Sequence, residues 1–207
     1  MVEKMSKSTI KGAVDLHIEC FKDSFLTSLD RDVLTCMYEN YVASELGCAY
    51  VYIENGEVVG LAAGAINPSV YYNQMLKKRG FQLIWGTLKR VIKEPRVLVS
   101  IAQRDFSGFF RPNKSEEAYS KAAFDVIGVK EEYRNMGVAL QLIKSFLDEL
   151  RERRVSEVHF GVLSDNTRLK RFYEMIGFKR LSTHKHPDGG EVDIYGMRFD
   201  ENPRYGG

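Results

Sequence analysis

Cysteine is scarce and badly placed for its structural uses: Cys20, Cys36 and Cys48 are odd in number, fall in the N-terminal quarter, and form no CxxC pair. That excludes the spacing of a zinc site or of a secreted disulfide framework, and it predicts a reduced, cytoplasmic protein with ordinary thiols and no metal. A long apolar run is also missing. No stretch approaches the roughly 20 apolar residues of a membrane span, and the opening Met-Val-Glu-Lys-Met-Ser-Lys has no apolar h-region, so neither spanning nor export is expected. Nor does one sign of charge dominate: 30 Lys and Arg against 28 Asp and Glu leave +2, too little for the basic excess that marks a nucleic-acid binder. Internal repeats and low-complexity tracts are absent as well.

What remains is ordinary globular material. With 207 residues, 44% of them hydrophobic, the chain can bury a full core, and the length predicts one domain over 1–207 carrying an insertion. Val14, His17, Phe21 and Phe25 fall at helical spacing in 8–26, and Asp30 or Asp32 can cap a second helix through Val33, Met37, Tyr38 and Tyr41. Ala49–Ile53 and Val58–Ile66 are β-branched, apolar runs joined by Glu54-Asn55-Gly56-Glu57, whose Asn-Gly is a strong hairpin signal. Pro68 stops the second strand, and a helix over 70–92, broken near Gly80, precedes a strand over 97–103 and a loop over 105–120. Residues 67–114 hold ten basic and two acidic side chains, a balance of +8 against −6 for the remainder. With Phe81, Ile84, Trp85, Leu88 and Ile92 on one helical face, they read as a basic helical insertion. A buried strand over 122–129, a long helix, a strand over 155–163, a short helix ending at Gly177, and a hairpin around Pro187-Asp188-Gly189-Gly190 complete the chain.

The informative stretch is Val129 to Ala139, which leaves a strand and enters a helix. Leu142, Ile143, Phe146, Leu147 and Leu150 line one face of that helix, and Gln141, Lys144, Asp148 and Glu152 the other. The first turn of a helix carries unpaired N–H groups and the positive end of the dipole, so an anion binds there when side chains leave room. Gly137 and Ala139 leave that room, and Arg134 adds a guanidinium fork suited to phosphate. The alternative is that the small residues merely let the helix start close to a neighbouring strand. A dinucleotide fingerprint fits worse, because it needs three spaced glycines and a later acid. Downstream, Ser164-Asp165-Asn166 follows a strand and precedes a helix with Leu169, Phe172, Tyr173 and Ile176. Asp165 or Asn166 caps it, Asn166 can also reach a ligand amide, and Tyr173 is either a core aromatic or a phenol facing the same cleft.

Arg134-x-x-Gly137-x-Ala139, followed by Asn166-x-x-Leu169-x-x-Phe172-Tyr173-Glu174-x-x-Gly177-Phe178, resembles the paired signature of the GNAT N-acetyltransferase superfamily, as do Leu16-His17 through Phe21, Ser24-Phe25-Leu26-Thr27 and the Asn-Gly hairpin. The insertion lies outside the family's minimal pattern, Ala139 replaces the last glycine of the turn, and no proline follows Val129. The resemblance implies an α/β (α+β) fold with a mostly antiparallel central sheet flanked by helices. It implies acetyl-CoA as cosubstrate, its pyrophosphate on the amides of Arg134, Asn135, Met136, Gly137, Val138 and Ala139. The pantetheine arm would pair with Ile127 to Val129, Asn166 would contact that arm, and Tyr173 would be the general acid.

Such enzymes transfer the acetyl group directly, with no covalent enzyme intermediate. The amine must lose a proton, the oxyanion needs a donor, for which the N–H at or next to Val129 is the candidate, and the departing thiolate accepts a proton, here from Tyr173. For the base, Asp125 comes first, because alternation places it on the strand face of Ile127 and Val129; Glu131, Glu132 and His159 read as solvated or structural. The expected partner is a primary amine on an amino sugar, small metabolite or peptide, with no nucleic acid, and the protein a monomer or homodimer. Two other function classes remain: a coenzyme-binding module without turnover, and a peripheral membrane protein using the basic amphipathic stretch 81–93.

Overall fold

The computed structural model describes residues 1–22, 27, 31–93, 121–185 and 190–201; of 84 and 86–93 it describes the backbone. The expected strand over 97–103, the loop over 105–120, the cap at Asp30, Ser24 to Leu26, and all but Gly190 of the last hairpin's turn lie outside the described residues. The elements are β1 (Val2–Lys4), α1 (Ile10–Cys20), α2 (Arg31–Ala43), β2 (Gly47–Glu54), β3 (Glu57–Ile66), α3 (Pro68–Lys93), β4 (Ala122–Val129), α4 (Val138–Glu152), β5 (Glu157–Leu163), α5 (Thr167–Ile176), β6 (Lys179–Lys185) and β7 (Glu191–Arg198). This is the expected order, with a short N-terminal strand that the pattern did not disclose.

The strands form one mixed sheet in the order β1-β2-β3-β4-β5-β7-β6, antiparallel except between β4 and β5. The β2–β3 turn works as its sequence demands, with Asn55 and Gly56 both at positive φ. On one face α4 buries Val138, Leu142, Ile143, Phe146, Leu147 and Leu150 against the sheet, joined by Phe160, Tyr173 and Phe178. On the other, α1 and α2 bury Ile10, Val14, Leu16, Leu34, Tyr38 and Tyr41. β1 is held by Lys4, whose ammonium lies 2.7 Å from the buried carboxylate of Glu149 on α4; that carboxylate also accepts from Tyr50 at 2.8 Å.

Helix α3 runs unbroken over 26 residues, which corrects the expected break at Gly80. A glycine inside a helix costs about 1 kcal/mol relative to alanine. The packing of Met75 and Leu83 against Val33, Cys36 and Met37 of α2 offsets it, and a Cβ at Gly80 would meet nothing. Of the apolar stripe read from the sequence, Phe81 and Trp85 are solvent-exposed, and Tyr71, Met75 and Leu83 face inward instead.

Between α1 and α2, His17 is only 4% exposed, with Nδ1 2.8 Å from the Tyr38 hydroxyl and Nε2 without a partner among the described residues. Burial lowers its pKa from 6.5 to about 4. The unfolded chain therefore binds the proton first as pH falls, so this stability is complete above about pH 6.5 and is lost towards the folded value, by about 2 kcal/mol at about pH 5. Urea midpoints measured across that range should fall steeply for the wild type and less so for His17→Gln, whatever the variant's stability at neutral pH.

Candidate active site

The site begins where the sheet parts. β4 and β5 pair at only Ala122–Val158 and Ala123–His159, although both strands continue. Beyond Ala123, β4 keeps β3 on one side and has no strand partner on the other among the described residues. Lys130 N–H donates to the Val59 carbonyl of β3 at 2.9 Å. Strand alternation then turns the backbone groups of Ile127 and Val129 to the open edge.

After β4 the chain makes a short 3₁₀ turn, Glu131–Tyr133, and enters α4 through Asn135 and Gly137, both with positive φ. Gly137 is the N-cap of α4 at φ 78°, and a Cβ built there meets nothing within 4 Å. The helix start does pack closely on β3, where a Cβ at Gly60 would lie 2.8 Å from Val138 Cγ1, but Gly137 is not the residue that admits it; that glycine serves the left-handed backbone and leaves the approach open. Among the described residues, no acceptor engages the amides of Asn135, Met136, Gly137, Val138 or Ala139. Arg134 folds back so that its Nε donates to the Val129 carbonyl at 3.1 Å, and Arg168 of α5 donates to Asn135 Oδ1 at 2.7 Å, pinning the turn to the next helix.

Turn and strand edge share a cleft of about 500 Å³. Its walls include Ile127, Val129, Arg134, Asn135, Gly137, Val138, Ala139 and Asn166, so it unites eight of the nine predicted coenzyme contacts; Met136, beside it, is solvent-exposed. Asn166 caps α5, its Oδ1 accepting from Leu169 N–H at 3.1 Å, so both of its predicted uses fit one geometry. Sequence reasoning missed Cys20, Phe21, Arg168 and Phe172, which also line the cleft. Arg168 carried a usable signal, a cation in the first turn of the helix that Asn166 caps.

Tyr173 is 2% exposed and lies in the core among the rings of Phe160, Phe172 and Phe178; it is not among the residues that line the cleft, whereas its backbone neighbour Phe172 is. Burial raises its pKa far above the ordinary phenol value, so it keeps its proton at any working pH. His159 is buried with Nδ1 3.1 Å from the Ala122 carbonyl, a structural role; desolvation lowers its pKa, partly offset by that hydrogen bond. Glu131 and Glu132 are exposed.

Asp125 is where the strand-face argument fails. The β3–β4 register passes from Ala63–Val126 to Gly64–Phe124, so Asp125 is the extra residue of a β-bulge. Ile127 and Val129 pack towards α4, while Asp125 accepts a 2.7 Å hydrogen bond from Tyr41 of α2, on the opposite face. Burial first, and then the adjacent Asp125 carboxylate, pushes the hydroxyls of Tyr41 and Tyr72 well above the phenol range, so both remain protonated beside it. The carboxylate thus sits on exposed β4 backbone at the parting of the sheet, across from the cleft.

Residues 10–178 match the model of the Acetyltransferase (GNAT) family. The chain belongs to the GNAT acetyltransferase family. No curated protein matches it significantly. Among solved structures, this GNAT chain is similar to the ribosomal-protein-alanine N-acetyltransferase of Brucella melitensis, at 13% identity and a TM-score of 0.62 over 96% of this chain and 99% of that one. It is also similar to the ribosomal-protein-S18-alanine N-acetyltransferase of Escherichia coli, at 13% identity and a TM-score of 0.58 over 96% and 92%. A NatC complex bound to Gag peptide and CoA matches at 11% identity and a TM-score of 0.54 over 96% and 97%. At these identities the neighbours establish the shared GNAT fold: a mostly antiparallel sheet flanked by helices.

Proposed function

We propose that the chain is an N-acetyltransferase that uses acetyl-CoA and moves the acetyl group directly to a primary amine of an amino sugar, small metabolite or peptide. The observation that carries this reading is the β4–β5 parting beside a helix start whose amides have no described acceptor. Those amides, from Asn135 to Ala139, suit a pyrophosphate, and the open edge of Ile127 and Val129 suits the amide-bearing pantetheine arm. This donor set fits a coenzyme thioester delivered to the mouth of the parting.

Each residue then has one task. The Val129 N–H, turned to the open edge where the Cys20 thiol now accepts from it, exchanges that thiol for the thioester oxygen and stabilises its negative charge. Tyr173 holds a proton for the leaving sulfur. Asp125, on the far face of the same strand, takes the proton of an amine arriving from the side of α2 and α3, so the two substrates approach the parting from opposite faces. Tyr41 orients Asp125.

Release of free coenzyme thiol from acetyl-CoA, followed against a panel of primary amines, tests the reading; failure of the wild type to bind acetyl-CoA would overturn it. Asp125→Asn should lower kcat/KM by about 10²–10⁴-fold with acetyl-CoA affinity unchanged. Tyr41→Phe should cost less, because the carboxylate loses one of the hydroxyls that orient it while Tyr72 stays beside it.

A further inference from the structure

The outward face of α3 is unexplained by the fold. Tyr71, Met75 and Leu83 already bury the inner face, and Arg79 closes the contact with α2 through a 2.6 Å ion pair to Glu39. Yet Phe81 is 78% exposed and Trp85 51%, one turn apart, with rings stacked at 6.2 Å and 12°. Lys77 and Lys78 lie exposed just before them, and the sequence adds Lys89, Arg90 and Lys93 to the same helix.

We propose that this face docks the protein on an anionic lipid surface. Aromatic side chains beside lysines are the composition of an interfacial helix, which lies along a bilayer with rings at headgroup depth and cations on the lipid charge. The charge distribution selects the orientation: α3 carries six basic and no acidic side chains, +6, which against the chain's total of +2 leaves −4 for the rest, so an anionic surface attracts this helix more than the rest. No described helix is long and apolar enough to cross a membrane, so the contact is peripheral.

The placement bears on chemistry, and here the inference rests on the proposed acceptor side. The first turns of α3 bring Tyr72 beside Asp125. At 1.5 Å per residue, Phe81 follows Tyr72 by about 14 Å along the axis. Docking therefore brings the acceptor side close to the lipid, and the acceptor is an amine carried at that surface.

Trp85 is the only tryptophan in the chain, so its emission reports the contact directly. Full-length protein, without acetyl-CoA, is mixed at low salt with vesicles of equal parts phosphatidylglycerol and phosphatidylcholine, or of phosphatidylcholine alone. With the anionic vesicles the emission should move to the blue and the protein should pellet; high salt should reverse both, and neutral vesicles should produce neither. Lys77→Glu with Lys78→Glu, and separately Phe81→Ser, should each weaken partitioning by about tenfold or more while leaving the far-ultraviolet dichroism unchanged. Unshifted emission, binding indifferent to salt or to these substitutions, or a self-associated form that buries Trp85 and ignores vesicles would each overturn the proposal. Because coenzyme is absent from the assay, its result stands whether or not acetyl-CoA binds in a separate titration.

Discussion

Gly137→Glu should abolish saturable binding of acetyl-CoA, by at least about 100-fold in calorimetric titration. Three effects add. A non-glycine residue at φ 78° is strained, by about 1 kcal/mol. A side chain now fills space that is open in the structure. Finally, a carboxylate stands at the helix start where a pyrophosphate is expected, replacing attraction by the dipole with repulsion. Gly137→Ala separates these effects, since it keeps the strain and adds little bulk and no charge; it should weaken binding by about tenfold or less. If Glu binds as well as wild type, the phosphate turn is misassigned.

Tyr173→Phe should lower kcat by about 10²-fold or more while leaving acetyl-CoA affinity within about twofold. The ring is held by Phe160, Phe172 and Phe178, so removing the hydroxyl preserves the packing and the cleft wall beyond it. The phenol is neutral at all working pH because burial raises its pKa, so its loss removes a donor and not a charge. Single-turnover measurements with saturating coenzyme isolate that step. An unchanged rate would leave Tyr173 as a core aromatic and pass the proton to solvent or to another donor.

Much of this was legible in the chain because it is locally encoded. Asn55-Gly56 dictates a two-residue turn by its backbone preference, Asn166 announces a helix start, Gly177 at φ 110° ends that helix, and the 3.6-residue period of Leu142 to Leu150 needs no tertiary information. The parts that were not legible depend on pairing. β1 is three residues long, and its ladder with β2 and the ion pair from Lys4 to Glu149 hold it. Gly80 reads as a breaker only until α2 is seen to pack against the same helix. The bulge at Asp125 is written across two strands: at Gly64, opposite it, a Cβ would collide with the Ala123 carbonyl oxygen and the Phe146 ring. Counting by twos along β4 passes over that extra residue and assigns the carboxylate to the wrong face. Tyr41, its partner, lies 84 positions away and carries no local mark.

The brevity of the β4–β5 ladder has a mechanical consequence. Two residue pairs join a four-stranded plate, β1 to β4, to a three-stranded plate, β5 to β7, and the rest of the seam has no cross-strand ladder. Amides along such a seam exchange through the least costly openings of a sheet, and what ties the plates beyond Ala122 and Ala123 is side-chain packing, Phe124 of β4 against Phe160 of β5, and not a ladder. A molecule wedged between them, bonded to the open edge of β4, would stiffen the joint and make the two plates melt as one.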